Sequence, residues 1–215
     1  MMKLSRRMAL SHWIRGLLLF GVLPAFISYL RPHQWMYVLL WLLALGTVLW
    51  LRHHGIRWSQ EWNVAALTRA ELRRIFVRFI PLAIALTLFM WWIDFGRLFS
   101  LPRERPLVWV MVMILYPLLS AMPQEIVYRS FIFRYYRFLP EKFIILISAA
   151  AFGWVHIILQ NWVAVTFSAI GGALFAHTYA KTKSLAACCF EHALYGCYLF
   201  TIGMGMYFYH GMAVH

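Results

Sequence analysis

The most constraining feature of this chain is a succession of apolar segments, each about as long as a bilayer is thick, separated by short basic connections. A helix that crosses a membrane needs about 20 residues. Such segments can be marked at residues 13–30, 35–51, 75–93, 107–133, 143–159, 162–180 and 184–200, and a last apolar piece follows at 201–214. The pattern predicts an all-α polytopic transmembrane bundle of about seven to eight helices, forming a single integral membrane domain over residues 1–215.

The charge distribution supports a membrane protein and argues against nucleic acid as a partner. Only 13% of the residues are charged, about half the fraction usual in soluble domains. The net charge is +13, but the basic residues cluster between apolar runs, where positive-inside topology and anionic lipids place them. The basic connections, which are the N-terminus, 52–78, 134–142 and 181–183, alternate with weakly charged ones. We therefore expect them on the cytoplasmic side of the plasma (inner) membrane, together with the N-terminus.

Two local patterns predict details of this bundle. Thr68 and Glu71 have the spacing of a capping box, which predicts that a helix starts at Thr68. The three cysteines, Cys188, Cys189 and Cys197, all fall in one apolar run. A disulfide between neighbours on one helix is geometrically unfavourable, so we interpret them as small apolar side chains.

The informative anomaly is an ionisable pair inside the fourth apolar segment. Glu125 and Arg129 lie one helical turn apart and therefore share a helix face. An ionisable group inside a bilayer costs several kcal/mol unless it is paired or faces a wet cavity, so it marks a functional site by default. Later segments contribute His156, His192 and, beside the latter, Glu191.

A carboxylate and two imidazoles from three helices suit the hydrolysis of a peptide bond in or near the bilayer. They could remove a proton from a water molecule or bind a metal such as zinc with an open position. Arg129 would keep Glu125 charged inside the membrane. Neither a Gly-x-Ser-x-Gly nor a His-Glu-x-x-His motif occurs. Two other interpretations are a purely structural Glu125–Arg129 ion pair, and a redox protein with His156 and His192 as axial ligands of a haem or quinone-type cofactor.

Three short motifs in successive apolar segments resemble those of the CPBP family, the CAAX-processing and bacteriocin-processing intramembrane proteases, also called Abi. The family pattern is Glu-Glu-x-x-x-Arg, Phe-x-x-x-His and His-x-x-x-Asn or Asp, and the resemblance covers about residues 107–200. The matching residues here are Gln124-Glu125-x-x-x-Arg129, Phe152-x-x-x-His156 and His192.

The resemblance implies an intramembrane endopeptidase of the metallo or glutamate type. Glu125 and His192 lie about nine residues from Arg134 and Lys183 of the basic connections, or ~13 Å at 1.5 Å per residue, so we expect cleavage near the cytoplasmic side of the bilayer. By analogy, His156 would help to activate the water, His192 would stabilise the oxyanion or bind a metal, and Arg129 would support the carboxylate. A divalent metal such as zinc, if one is present, would be bound by Glu125, His156 and His192. The implied substrates are membrane-embedded or prenylated peptides and proteins.

Two positions depart from the family pattern. Gln124 stands where the first Glu belongs, and Gly196 stands where Asn or Asp belongs. A Gln cannot act as a general base, although it can position a water. Glu125, about 100° away on the helix, and Glu191 are the two candidates to replace it. These departures leave open an alternative, a catalytically inactive CPBP-like protein that binds a membrane peptide or a protein partner.

Overall fold

The computed structural model describes residues 6–30 and 35–208, and this part of the chain is predominantly helical, with no β-strand. Its long helices are α1 (Arg6–Leu17, continuing through Leu18–Val22 and Leu23–Leu30), α2 (Met36–His53), α3 (Arg69–Ile93), α4 (Pro106–Tyr135), α5 (Glu141–Leu159), α6 (Trp162–Thr182) and α7 (Leu185–Thr201). Short helical turns at Trp58–Trp62, Val64–Ala66, Phe95–Arg97, Ser100–Glu104 and Met204–Tyr207 connect or follow them.

Six of these helices, α1 to α6, are long and apolar enough to cross a membrane. The helix α7 has 17 residues, fewer than the about 20 that a perpendicular span needs. The predicted all-α membrane architecture is therefore supported. Of the seven to eight predicted spans, six are supported by helix length and composition. Of the last apolar piece, the structure describes only a turn at Met204–Tyr207, and residues 209–214 lie outside the described part, as do residues 1–5 of the N-terminus.

Ion pairs bring several basic connections to one end of the bundle. Lys183 Nζ lies 2.7 Å from Glu141 Oε2, which joins the connection after α6 to the one before α5. Lys181 Nζ lies 3.8 Å from Glu71 Oε2 at the start of α3. We call this the basic end of the bundle. The connections 52–78, 134–142 and 181–183 meet there, as alternating topology requires.

The helix α7 runs from the basic end to the opposite end. At its far terminus Gly203 adopts a φ of +94°, and a Cβ at this position would lie 2.3 Å from the carbonyl oxygen of Arg97. Nearby, the Asn161 side chain donates to the Tyr207 carbonyl over 2.9 Å. The weakly charged connections 94–105, 160–161 and 202–207 thus gather opposite the basic end.

The two local sequence predictions are confirmed. Helix α3 begins at Arg69, and the Thr68 hydroxyl accepts a hydrogen bond from the Glu71 backbone N–H. Cys188, Cys189 and Cys197 are free thiols on α7.

Helix α4 is irregular where it carries the ionisable pair. Prolines at 117 and 123 have no N–H to donate, which breaks the regular hydrogen-bond ladder. The helix widens to π-helical turns at Pro117–Ala121 and Ile126–Phe131, and such turns often occur at functional sites. Residues 126–130 are all buried, so this part of α4 lies inside the bundle, whereas no residue of Pro106–Tyr116 is buried.

Candidate functional site

The centre of the site is the carboxylate of Glu125, which is wholly buried on α4. Arg129, also wholly buried, lies one turn further along, with its Nε 2.9 Å from Glu125 Oε2 and its Nη2 3.3 Å from Oε1. The predicted pairing of these two residues is therefore present. Because each group neutralises the other, both can stay charged away from water.

The guanidinium of Arg129 is fixed on its other sides as well. Its Nη1 donates to Ser148 Oγ on α5 over 2.9 Å, and that hydroxyl donates to the Tyr128 carbonyl over 2.7 Å. The guanidinium carbon also lies 4.8 Å from the centre of the Phe152 ring, within cation–π range. These contacts hold the cation rigidly and so fix the orientation of the Glu125 carboxylate.

His192 of α7 contacts the same carboxylate. Its Nδ1 lies 2.9 Å from Glu125 Oε1, and its ring stacks on Phe175 with centroids 4.6 Å apart. A carboxylate paired with arginine only accepts hydrogen bonds, so Nδ1 carries the proton in this contact. In a neutral imidazole, Nε2 is then the basic nitrogen.

The Nε2 atom of His192 is hydrogen-bonded to Tyr116 of α4, whose hydroxyl lies 3.0 Å away. With Nε2 as the acceptor, the phenol is the donor. Gly196, one turn after His192 on α7, makes room for this phenol, because a Cβ at position 196 would lie 2.2 to 2.3 Å from the Tyr116 ring and hydroxyl. The result is a linear chain from Glu125 through His192 to Tyr116.

His192 and Tyr116 line a cavity of about 150 Å³ among helices α3 to α7, and His156 lines it too. His156 lies in the last turn of α5, where its Nδ1 donates to the Phe152 carbonyl over 2.7 Å. Its Nε2 is therefore an acceptor as well. Most of the remaining wall is apolar, formed among others by Leu82, Phe152, Phe167, Ile170, Phe175 and Phe200.

Of the predicted site residues, His156 and His192 line this cavity. Glu125 and Arg129 are linked to it through the hydrogen bond to His192, whereas Gln124 and Glu191 have other partners. Gln124 donates through Nε2 to Ser120 Oγ, one turn earlier on α4, over 2.9 Å. Glu191 is wholly buried, with Oε1 3.0 Å from Arg78 Nη2 and Oε2 accepting from Thr178 Oγ1 over 2.6 Å. Its carboxylate therefore links α7 to α3 and α6, away from the imidazole beside it.

Of the predicted site residues, the structure thus brings Glu125, Arg129 and His192 into direct contact and adds His156 through the shared cavity. Sequence reasoning missed Tyr116 and Ser148, which hold the outer ends of this network. Both are hydroxyl residues inside apolar runs, and such residues usually find partners across helices. Their position inside apolar runs could have predicted that they form hydrogen bonds between helices, but it could not have predicted with which residues.

The side chains present do not form a metal site. Among the residues that the structure describes, no group of three or more His, Cys, Asp or Glu could hold a metal ion. The suggested ligand set of Glu125, His156 and His192 does not fit, because Glu125 Oε1 faces a protonated Nδ1 and both His192 nitrogens are hydrogen-bonded. The hydrogen bonds at both His192 nitrogens also disfavour axial ligation of a haem by this residue.

The fold and the site define the class as a helical membrane protein with a buried carboxylate–imidazole pair whose imidazole lines a cavity between the helices. Comparison with known proteins adds a family resemblance. A family model described as "Type II CAAX prenyl endopeptidase Rce1-like" matches residues 106–198, less than half of the chain but the whole of the region that carries the site. The resemblance to the CPBP family is thereby confirmed. At a coarse level the match indicates a protease. No curated protein and no solved structure matches the chain.

Proposed function

We propose that this protein is an intramembrane endopeptidase that hydrolyses a peptide bond in the cavity beside His192, with a water activated by the Glu125–His192 pair. The observation that carries the proposal is the 2.9 Å hydrogen bond between His192 Nδ1 and the buried, arginine-paired Glu125 carboxylate. It leaves the basic nitrogen of His192 on the cavity side, where a general base is needed.

The reaction runs by proton transfer through His192. A water at the cavity end of Nε2 gives its proton to that nitrogen, its oxygen bonds to the peptide carbonyl carbon, and the carbonyl π electrons move to the oxygen. Glu125 stabilises the imidazolium that forms. The tetrahedral intermediate then collapses, the C–N bond breaks, and Nε2–H returns its proton to the leaving amine.

His156 contributes a second acceptor to the same cavity. Because its Nδ1 is bound to the Phe152 carbonyl, its Nε2 can accept the second hydrogen of the attacking water and so orient it. This proposal exchanges the roles that the family resemblance implied. His192 becomes the base because it, and not His156, is bonded to a carboxylate.

The bilayer is the proposed route of the substrate. Ile170 of α6 lines the cavity and is 52% exposed. An apolar wall that reaches the lipid-facing surface suits a membrane-embedded or prenylated peptide. His192 lies about two helical turns into α7 from the basic end, or ~10 Å at 1.5 Å per residue. With the basic end assigned to the cytoplasm of the plasma (inner) membrane, cleavage falls in the cytoplasmic half of the bilayer.

The test is cleavage by purified protein in lipid vesicles. Two probes are compared, a fluorogenic peptide that ends in an S-farnesyl cysteine and three further residues, and the same peptide without the lipid. We expect His192→Gln to lower kcat about 10²- to 10⁴-fold, the usual contribution of a general base. His177→Gln is the matched control, because His177 is an exposed residue of α6 outside the cavity.

Three outcomes would count against the proposal. Failure of the unaltered protein to cleave either probe removes the protease function and favours a non-catalytic binding protein. Retained cleavage by His192→Gln removes the proposed base. An equal loss in His177→Gln attributes the effect to folding rather than to chemistry.

A further inference from the structure

We propose that the Tyr116 hydroxyl is the hydrogen-bond donor that stabilises the oxyanion of the tetrahedral intermediate. The inference rests on the proposed function, since it assigns a further catalytic residue to the same reaction. It follows from three observations about the cavity: which polar groups it holds, what each can donate, and why the phenol can reach its position.

The first observation concerns the two imidazoles. His156 and His192 each use Nδ1–H on a partner outside the cavity, the Phe152 carbonyl and the Glu125 carboxylate. Both therefore offer a lone pair on Nε2, which suits a water but repels an oxyanion. The developing negative charge therefore needs a donor from another side chain, and such donors usually supply the largest part of the rate enhancement in acyl transfer. Ser168 and Tyr195 also line the cavity, but Tyr116 is the hydroxyl residue bonded to the proposed base, His192 Nε2.

The second observation is the position of Tyr116. Its hydroxyl lies 3.0 Å from His192 Nε2 and lines the cavity. Any water that replaces this contact at Nε2 lies within reach of the released phenol. The oxygen of a carbonyl attacked by that water also lies within hydrogen-bonding distance of the phenol. The same O–H group can therefore donate to the imidazole in the resting state and to the oxyanion during the reaction.

The third observation is that Gly196 leaves the space that the Tyr116 phenol occupies beside His192. A Cβ at position 196 would lie 2.2 Å from a ring carbon of Tyr116 and 2.3 Å from its hydroxyl. Only a glycine leaves this volume free. In the family pattern position 196 carries Asn or Asp, so the departure at Gly196 is matched by a polar group that enters the same space from α4.

In the reaction, Tyr116 O–H leaves Nε2 when the substrate and water bind, and it donates to the substrate carbonyl oxygen. The phenol keeps its proton throughout. As the water oxygen bonds to the carbonyl carbon and Nε2 takes the water proton, the carbonyl oxygen gains the electron pair and shortens its contact with Tyr116. When the C–N bond breaks, the pair returns to the carbonyl and Tyr116 returns to Nε2.

The first experiment is Tyr116→Phe, measured with the farnesylated and unmodified peptides described above. We expect kcat to fall about 10²- to 10³-fold, the usual cost of losing one oxyanion donor, with KM nearly unchanged because the ring still fills the space. Tyr198→Phe is the matched control. Tyr198 lies on α7, does not line the cavity, and donates its hydroxyl to the Ala83 carbonyl over 3.0 Å.

The second experiment moves the donor to the other helix. Gly196→Asn alone should abolish turnover, because the new side chain displaces the phenol. In the double variant Tyr116→Ala/Gly196→Asn the amide occupies the vacated space, and we expect at least tenfold recovery of kcat over Tyr116→Ala. A merely structural role for Tyr116 predicts no such recovery.

The outcomes separate the inference from the function on which it rests. If the unaltered protein cleaves a probe and Tyr116→Phe retains its kcat, the inference is overturned and the protease function stands. A fall in Tyr198→Phe equal to that in Tyr116→Phe also overturns it. If the unaltered protein cleaves neither probe, the proposed function fails and the inference fails with it.

Discussion

Helix α4 carries one buried carboxylate, Glu125, and contacts a second, Glu61, whose surroundings differ in one decisive way. Glu61, on the short helix Trp58–Trp62, is 1% exposed. Its Oε2 accepts from Ser130 Oγ over 2.5 Å and from Tyr179 over 2.6 Å, and its Oε1 accepts from Arg134 over 2.5 Å. These donors come from α4 and α6 at the basic end of the bundle, and the contacts tie the connection after α2 to both helices.

Glu125 also has an arginine partner, Arg129, but its other partner is the imidazole of His192. An imidazole can take up and release a proton near neutral pH, and this one also lines a cavity. Burial and an arginine partner are common to both carboxylates and do not distinguish them. The comparison teaches that a proton-transferring partner with access to a cavity is what separates a candidate catalytic carboxylate from a structural one.

The largest expected effect comes from Glu125→Gln. We expect kcat to fall about 10²- to 10⁴-fold, because His192 loses the group that orients it and stabilises its protonated form. The same change leaves the buried Arg129 unpaired, which should lower the free energy of unfolding by about 3–5 kcal/mol. Peptide cleavage and unfolding in mixed micelles measure the two effects.

The double variant Glu125→Gln/Arg129→Met separates these effects. With the uncompensated cation removed, stability should recover while kcat stays low. Recovery of both would show that Glu125 acts only through folding and would make it a structural carboxylate like Glu61.

An intermediate effect is expected for Glu61→Gln. The free energy of unfolding should fall by about 1–3 kcal/mol, because hydrogen bonds to a charge are weakened while the half-exposed Arg134 regains water. The kcat of the folded fraction should not change, since Glu61 contacts no cavity residue. Cleavage assays normalised to folded protein test this, and a fall in kcat beyond the folded fraction would break the distinction between the two carboxylates.

The smallest effect is expected for Gln124→Glu, which restores the residue of the family pattern. A protonated carboxyl at this position can still hydrogen-bond with Ser120, and the side chain does not line the cavity. We expect kcat within the error of the assay. A clear rise in kcat would place position 124 in the site. It would then contradict the proposal that the Glu125–His192 pair alone activates the water.

The sequence by itself determined what is local along the chain. The limits of the apolar segments predicted the ends of α2 and of α4 to α7 to within two residues, whereas α1 and α3 begin six or seven residues before their apolar segments. The Thr68–Glu71 spacing predicted the start of α3, and the four-residue interval predicted the Glu125–Arg129 pair. Each of these depends on hydrogen bonds and side-chain contacts within one or two turns, so periodicity is sufficient to predict it.

Only the tertiary structure decided which side chains meet across helices. His192 is 67 positions from Glu125 and 76 from Tyr116, and these contacts depend on how each helix is rotated and how far it slides against its neighbours. A rotation of about 100° separates adjacent residues on a helix. That rotation sends Glu191 to Arg78 and His192 to Glu125, and it is set by side-chain packing between helices, which no single segment contains.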